Sequence, residues 1–306
     1  FAGMSIEVRN IAKEYGNQQA LNGLSFSIGK GEIVGFLGPN GAGKSTMMKI
    51  LTCFVPQTDG EAFVCGLDVS KDSLKVREKI GYLPENNPLY YEMYVKEFLE
   101  FVGGIYKLPK IEERVKEVIS MVGLEPEMHK KIGALSKGYK QRVGLAQAII
   151  HDPEVLVLDE ATTGLDPNQI LDIRALIRNL GKDKTVLLST HIMQEVEAVC
   201  DRVLIINKGN LVADQKASEI KALKQSEEVI LVEFENEVSK EALEGIKGID
   251  SLQSKGRSSW RIKAKKGTDI RALIFQFGVE NNNPVLSLSR EEDSLEDIFK
   301  TLTTEK

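Results

Sequence analysis

The sequence predicts an α/β domain with a mainly parallel sheet, followed by a small α+β domain, on three observations. Continuous apolar runs at residues 33–37, 155–158, 186–188 and 203–206 alternate with stretches of helical periodicity. Uninterrupted runs of this kind belong to strands covered on both faces, as in a parallel sheet. The composition shifts at Lys224-Gln225-Ser226-Glu227-Glu228 to a polar, charged stretch of the kind that separates domains. Beyond it the pattern runs strand, helix, strand, strand, helix, strand, an order that resembles a ferredoxin-like unit.

Element by element, residues 6–8 and 24–28 read as strands of an opening antiparallel β layer. The strand at 33–37 leads into a glycine-rich loop, and helical sequence begins at Lys44. From Val95 to about Ile150 apolar residues recur at three- and four-residue steps: Phe98, Phe101, Val102 and Ile105, then Val115, Val118, Ile119 and Val122. This predicts a helical subdomain over about 86–150. The later apolar runs return to the sheet. A boundary at the polar stretch gives a first domain of residues 4–224 and a second of 225–306. In the second, strands are expected at 229–234, 249–253, 260–264 and 285–288, with helices at 240–246 and 269–277.

Composition narrows the function. With 306 residues, 42% of them hydrophobic, the chain can bury a full core. A net charge of −5 argues against a nucleic-acid partner, which calls for a basic surface. The local cluster Lys263, Lys265 and Lys266 reads first as a solvated strand edge and otherwise as a docking patch. Cys53, Cys65 and Cys200 form no CxxC pair and are odd in number, which points away from disulfides and zinc and fits a reducing cytoplasm. No apolar run approaches the ~18 residues needed to cross a bilayer. Phe1-Ala2-Gly3, ahead of Met4, lacks the regions of a signal peptide and reads as a cloning remnant. A membrane would therefore be served through a partner.

Two segments carry recognisable chemistry. Gly38-Pro39-Asn40-Gly41-Ala42-Gly43-Lys44-Ser45 satisfies the phosphate-loop pattern GxxxxGK[ST] between a buried strand and a helix. Its glycines let backbone N–H groups curl around phosphate oxygens, and the helix directs its positive end at them. Lys44 would reach the β- and γ-phosphates of ATP, the Ser45 hydroxyl would hold Mg²⁺, and Thr46 would complete the nucleotide-binding stretch. Asp159-Glu160 follows the apolar run at 155–158. Beside a phosphate loop, Asp159 would bind the metal, usually through water, and Glu160 would orient or deprotonate the attacking water. Phosphoryl transfer needs both roles because it is mostly positioning and electrostatic stabilisation.

Leu135-Ser136-Lys137-Gly138-Tyr139-Lys140-Gln141-Arg142 alone is a capped helix start, with Ser136 as the cap. In this setting it resembles the LSGGQ signature of ABC ATPases, in an LSKGY-x-QR form, and it stands upstream of the carboxylate pair as in that family. Other markers match in order over residues 5 to about 222. Tyr15 resembles the aromatic that stacks on adenine, Gly164-Leu165-Asp166 resembles the D-loop, and Ser189-Thr190-His191 ends a strand with the switch histidine. The resemblance implies a P-loop ABC-type ATPase core that hydrolyses ATP to ADP and phosphate with Mg²⁺. It implies His191 as γ-phosphate sensor. It also implies two domains paired head to tail, so that Ser136 and the Gly138 N–H act on the partner's nucleotide, with Asp166 at the same interface. One position departs: Gly81-Tyr82-Leu83-Pro84 leads to Glu85 where the family's Q-loop has glutamine. A carboxylate still ligates Mg²⁺ or holds the water but adds negative charge near the γ-phosphate. ATPases of the drug- and polysaccharide-exporter type often show the same glutamate.

The aromatic stretch from Asn86 to Tyr94 reads either as a cap on the helical subdomain or as the groove that receives a membrane subunit's coupling helix. The tail Ser294-Leu295-Glu296-Asp297-Ile298-Phe299 resembles the S-L-E-D-x-F ending of ABC-2 exporter ATPases. With Tyr82-Leu83-Pro84-Glu85, it makes the whole chain most similar to gliding-motility-associated ATPase subunits of that class. The implied function is an ATPase subunit, a homodimer or a pseudo-dimer with another ATPase subunit. It would drive a separate integral-membrane permease, for export, from the inner face of the plasma membrane. One rival is a soluble ABC-type ATPase acting on the ribosome or DNA, which would carry two cassettes or a long coiled coil. Another is a module that binds nucleotide as a regulatory ligand without hydrolysing it, against which Lys44, Glu160 and His191 speak.

Overall fold

The structure, a computed structural model, describes residues 3–219, 228–265 and 268–290. The chain divides into two compact units, Phe1–Ala217 and Ser218–Lys306.

The first unit opens with two long strands, β1 (Met4–Tyr15) and β2 (Gln18–Gly29), paired antiparallel. They are followed by β3 (Ile33–Leu37), α1 (Lys44–Leu51), β4 (Asp59–Val64), β5 (Leu67–Asp68), α2 (Ser73–Lys79) and β6 (Ile80–Leu83). Helices α3 (Val95–Ile105), α4 (Ile111–Met121) and α5 (Lys137–Ile149) come next. The unit continues through β7 (Val155–Asp159), α6 (Pro167–Leu180), β8 (Thr185–Thr190), α7 (Met193–Val199), β9 (Arg202–Asn207) and β10 (Asn210–Lys216). One sheet has the order β2-β1-β4-β5 and is antiparallel; the other has the order β10-β9-β3-β8-β7-β6 and is parallel except for the β10 edge.

The sheet's inner strands follow from their composition. Every residue of β3, β7 and β8 is buried. Helix α1 lies in the shared core, where Met47, Met48, Ile50 and Leu51 join Ile6, Val8, Leu21 and Phe26 of the antiparallel layer and Phe36 of β3. Burying a side chain of this size stabilises by about 1.5–3 kcal/mol. Strand β6, which has no distinct sequence signal, is held by the close approach of α5. A Cβ at Gly81 would lie 2.0 Å from the Ala148 carbonyl oxygen, so only glycine fits. The helical stretch consists of three packed helices: Val95, Phe98, Leu99 and Val102 of α3, Val115, Val118 and Ile119 of α4, and Val143, Leu145 and Ile149 of α5 are buried.

The second unit contains β11 (Glu228–Phe234), α8 (Lys240–Glu244), β12 (Ile249–Ser254), β13 (Ser259–Ala264), α9 (Arg271–Glu280) and β14 (Val285–Arg290). Its antiparallel sheet has the order β12-β13-β11-β14, a ferredoxin-like arrangement. Period-2 alternation places Ile230, Val232 and Phe234 with Trp260, Ile262 and Ala264 in one core, closed by Leu243, Ile270 and Ile274. Within the lysine cluster, Lys263 is not at a strand edge. Lys263 sits on an inner strand, paired with Val229 on one side and Ser251 on the other. Alternation puts polar residues on the solvated face of an inner strand as readily as on an edge. Lys266 and the tail at 294–302 lie outside the described residues. Among the described residues no helix is long and apolar enough to cross a membrane.

Candidate functional site

A cleft of about 730 Å³ is lined by Tyr15, Asn40, Gly41, Gly43, Lys44, Ser45, Thr46, Glu85, Glu160 and His191, residues drawn from five separate stretches of sequence. Gln18, Gln19, Ala20, Thr163 and Lys208 complete its wall. No sequence pattern singled these five out. They come from β2, from the loop after Glu160, and from the β9–β10 turn, and their types carry no phosphate-binding signature.

The glycine-rich loop is shaped by backbone geometry. Gly43 has φ of 108° at the start of α1, and a Cβ there would lie 2.6 Å from the Ala20 carbonyl oxygen. A side chain is excluded by both sterics and conformation. The loop is tethered on both sides: Gly38 N–H donates to Thr190 O at 3.3 Å, and Gly209 N–H donates to Ala42 O at 2.9 Å. Gly38, Pro39 and Ala42 thus shape the loop without lining the cleft. The Lys44 Nζ donates to Gly38 O at 2.7 Å and Pro39 O at 3.2 Å, and it lies 3.6 Å from Glu160 Oε1.

Strand β7 ends at Asp159, so only one of the two carboxylates is in the strand. Glu160 lies just beyond it with φ of 51°, a conformation a non-glycine residue rarely adopts. Its N–H is held by Ser189 O at 3.0 Å. Glu160 Oε2 accepts from Thr163 Oγ1 at 3.1 Å and meets His191 Nδ1 at 2.8 Å. Asp159 is buried and does not line the cleft, and its Oδ1 has no hydrogen-bond partner. The same is true of Ser189 Oγ, on the residue paired with Asp159 across β7 and β8. Buried oxygens of this kind are normally completed by water or an ion. With the Ser45 hydroxyl and the Glu85 carboxylate in the cleft, the donor set is all hard oxygen, which fits Mg²⁺.

Tyr15 ends β1 and is 45% exposed, with the Lys13 ammonium 5.0 Å from its ring centroid. Glu85 follows β6 and is exposed. Burial pushes the pKa of neighbouring Tyr82 up, with the charges of Asp159 and Glu85 adding to it.

Ser136, Gly138 and Asp166 do not line this cleft. Ser136 caps α5, its Oγ accepting from Tyr139 N–H at 3.4 Å, and Asp166 caps α6, accepting from Gln169 N–H at 3.0 Å. The two helix starts abut: a Cβ on Gly138 would lie 2.6 Å from the Gln169 side chain, and Arg142 Nη2 donates to Asp172 at 2.8 Å.

Comparisons with known proteins bear on the family. The profile of the ABC transporter family fits residues 21–163. The chain is 32% identical to the bacitracin transport ATP-binding protein BcrA of Bacillus licheniformis, over 97% of this chain and 96% of that one. It is 38% identical to the Nod factor export ATP-binding protein I of Rhizobium meliloti, over 69% of this chain and 64% of that one. The dimeric ATP-binding cassette MJ0796, solved in a post-hydrolysis state with ADP and Pi, superposes with a TM-score of 0.64 at 27% identity, covering 69% of this chain and 98% of that one. The chain belongs to the ATP-binding proteins of ABC transporters, a family of ATPases.

Proposed function

We propose that this chain is the ATP-hydrolysing subunit of an exporter, coupled to a separate membrane permease. The observation that carries the reading is the Glu160–His191 contact at 2.8 Å, set opposite Lys44 in one cleft. Tyr15 offers its exposed ring to the adenine, and the backbone N–H groups of Asn40, Gly41 and Gly43 to Thr46, with the Lys44 ammonium, take the phosphates. Ser45, with Asp159 and Glu85, would hold Mg²⁺, which would supply charge neutralisation on the phosphates. Glu160 accepts a proton from water as the water oxygen bonds to the γ-phosphorus and the bond to the bridging oxygen of ADP breaks. His191 holds Glu160 and senses the γ-phosphate. Because Ser136, Gly138 and Asp166 lie away from the cleft, they are assigned to a partner's nucleotide in a head-to-tail dimer.

A permease would dock in a second cavity of about 260 Å³, whose lining includes Phe54, Tyr82, Asn87, Pro88, Tyr106 and His151. Phe54 is exposed, as are Tyr90, Tyr91 and Tyr94, which follow Asn87 and Pro88 in the sequence. Exposed aromatic clusters mark interfaces. That docking would put the protein at the cytoplasmic face of a membrane, and the Nod factor export relative favours export. The nucleotide chemistry is assigned to residues 4–224, with 225–306 as an accessory domain. Steady-state phosphate release by the purified chain, with and without Mg²⁺, tests the reading. Binding of ATP without Mg²⁺-dependent phosphate release would favour a nucleotide-regulated module instead.

A further inference from the structure

Glu195, on α7, is 1% exposed. An isolated carboxylate in such surroundings is costly, and an apolar residue would fill the space at no such cost. Both of its oxygens are taken by threonine hydroxyls. Thr162 Oγ1 donates to Oε1, and Thr190 Oγ1 donates to Oε2 at 2.5 Å. Thr190 Oγ1 also accepts from Ile192 N–H at 3.0 Å, so its donor and an acceptor site are both committed. Thr162 stands two residues after Glu160, and Thr190 immediately precedes His191. One buried side chain therefore ties the loop that carries the carboxylate to the strand end that carries the histidine. The Thr190 carbonyl also accepts from Gly38 N–H, which extends the tie to the start of the phosphate loop. Burial raises the pKa of Glu195; the Thr190 hydrogen bond and then the charge of Arg174, on α6, oppose this, and Glu160 and His191 are close enough to contribute.

We propose that Glu195 is a positioning residue for ATP hydrolysis, holding Glu160 and His191 in register through Thr162 and Thr190. It does not line the cleft and touches no substrate. The inference rests on the reading of Glu160 as the base. Glu195→Gln preserves volume, but its amide nitrogen cannot accept from a hydroxyl, so one threonine loses its acceptor. A misplacement of about 1 Å at the reacting groups is enough to slow the chemistry by about 10²-fold.

The test measures kcat and the KM for ATP on the full-length protein. Glu195→Gln is expected to lower kcat by about 10–100-fold with KM changed less than about threefold. Thr162→Ser and Thr190→Ser keep the hydroxyl and should keep kcat, whereas Thr162→Val and Thr190→Val should lose it. The double variant Glu195→Gln with Thr190→Val should lose no more than the worse single, since both break one network. If Glu195→Gln does not fold, the serine and valine variants decide alone. Unchanged kcat in Glu195→Gln, or equal losses in the serine and valine variants, overturns the proposal while leaving the ATPase reading intact. Absence of turnover in the unmodified protein overturns both.

Discussion

The Lys44 ammonium and the Glu160 carboxylate face each other at 3.6 Å, with side chains only 6% and 8% exposed. Each has further partners: Lys44 donates to Gly38 O and Pro39 O, and Glu160 accepts from Thr163 and meets His191. A buried pair of this kind contributes little net stability, yet removing one member leaves the other charge buried without the ion facing it.

Lys44→Met should therefore do more than weaken ATP binding. It should also destabilise the fold by up to about 3–5 kcal/mol, because Glu160 stays buried without its ammonium. Urea denaturation of Lys44→Met, Glu160→Gln and the double variant checks this. The double variant should recover part of the loss, and strict additivity would show that the pair is not coupled.

Tyr15→Ala should weaken ATP binding by about 1–3 kcal/mol, the usual worth of a base–aromatic stack. Tyr15→Phe should bind nearly as well as the unmodified protein, since stacking needs the ring and not the hydroxyl. Lys13, over the ring and donating to Pro56 O at 2.7 Å, is anchored independently and need not leave with the tyrosine. Calorimetric titration with ATP separates the variants, and equal affinities for all three would remove Tyr15 from the site.

What was legible in the sequence is what one residue type alone can do. The phosphate loop was legible because its glycines occupy conformations and close approaches that exclude a side chain, as at Gly43. The strands β3, β7 and β8 were legible because they are buried on every face. Strand β6 was not, being four residues long with a glycine required by α5. Gln18, Gln19 and Lys208 escaped notice because they reach the cleft from chain positions nearly 200 residues apart, and long-range proximity leaves no local pattern. Glu195 and Thr162 belong to no local pattern, and Thr190 was legible only as the strand residue before the switch histidine. The narrower likeness to gliding-motility ATPases rests partly on the tail at 294–302, outside the described residues.

Acid should destabilise the protein through His151. Its ring stacks on Tyr106 with centroids 3.9 Å apart, and its Nε2 lies 3.0 Å from Ile80 O, leaving a buried Nδ1 with no partner. Burial, helped by the charges of Lys184 and Arg114, pulls its pKa down from 6.5 to about 4. Between those values the unfolded chain holds the extra proton, so the stability from neutral His151 is complete above about pH 6.5 and is lost as pH falls towards 4. The loss is on the order of 2–3 kcal/mol by pH 4. His151→Phe should keep the stack and remove this component, so its stability should fall less steeply over that window. Parallel pH curves for the two proteins would refute the assignment.

Glu85→Gln removes a negative charge from the cleft mouth. ATP affinity should be kept or modestly raised, because the change relieves repulsion with the γ-phosphate while an amide oxygen remains to ligate or hold water. The comparison is an ATP titration with Mg²⁺ present. Complete loss of binding would mean that the carboxylate itself holds the nucleotide.

Glu160→Gln isolates the chemical step. The substitution keeps the side chain's length and retains an oxygen that can accept from Thr163 or His191, but the group can no longer take a proton from water. Lys44 loses its ion partner yet keeps both loop carbonyls, so the phosphate loop should hold its shape and ATP should still bind. Hydrolysis should fall by about 10²–10⁴-fold, the typical worth of a general base. ATP that is not consumed can bridge the cleft of one chain and the Ser136–Gly138 segment of another, and a ligand that contacts both faces favours the closed dimer. Size-exclusion chromatography of Glu160→Gln should show a dimer with ATP and a monomer without it, whereas Glu160→Gln combined with Ser136→Arg should stay monomeric in both. Turnover near the unmodified rate would remove Glu160 from its role as base. A variant that binds ATP, does not turn over and still stays monomeric would assign dimer closure to the membrane partner.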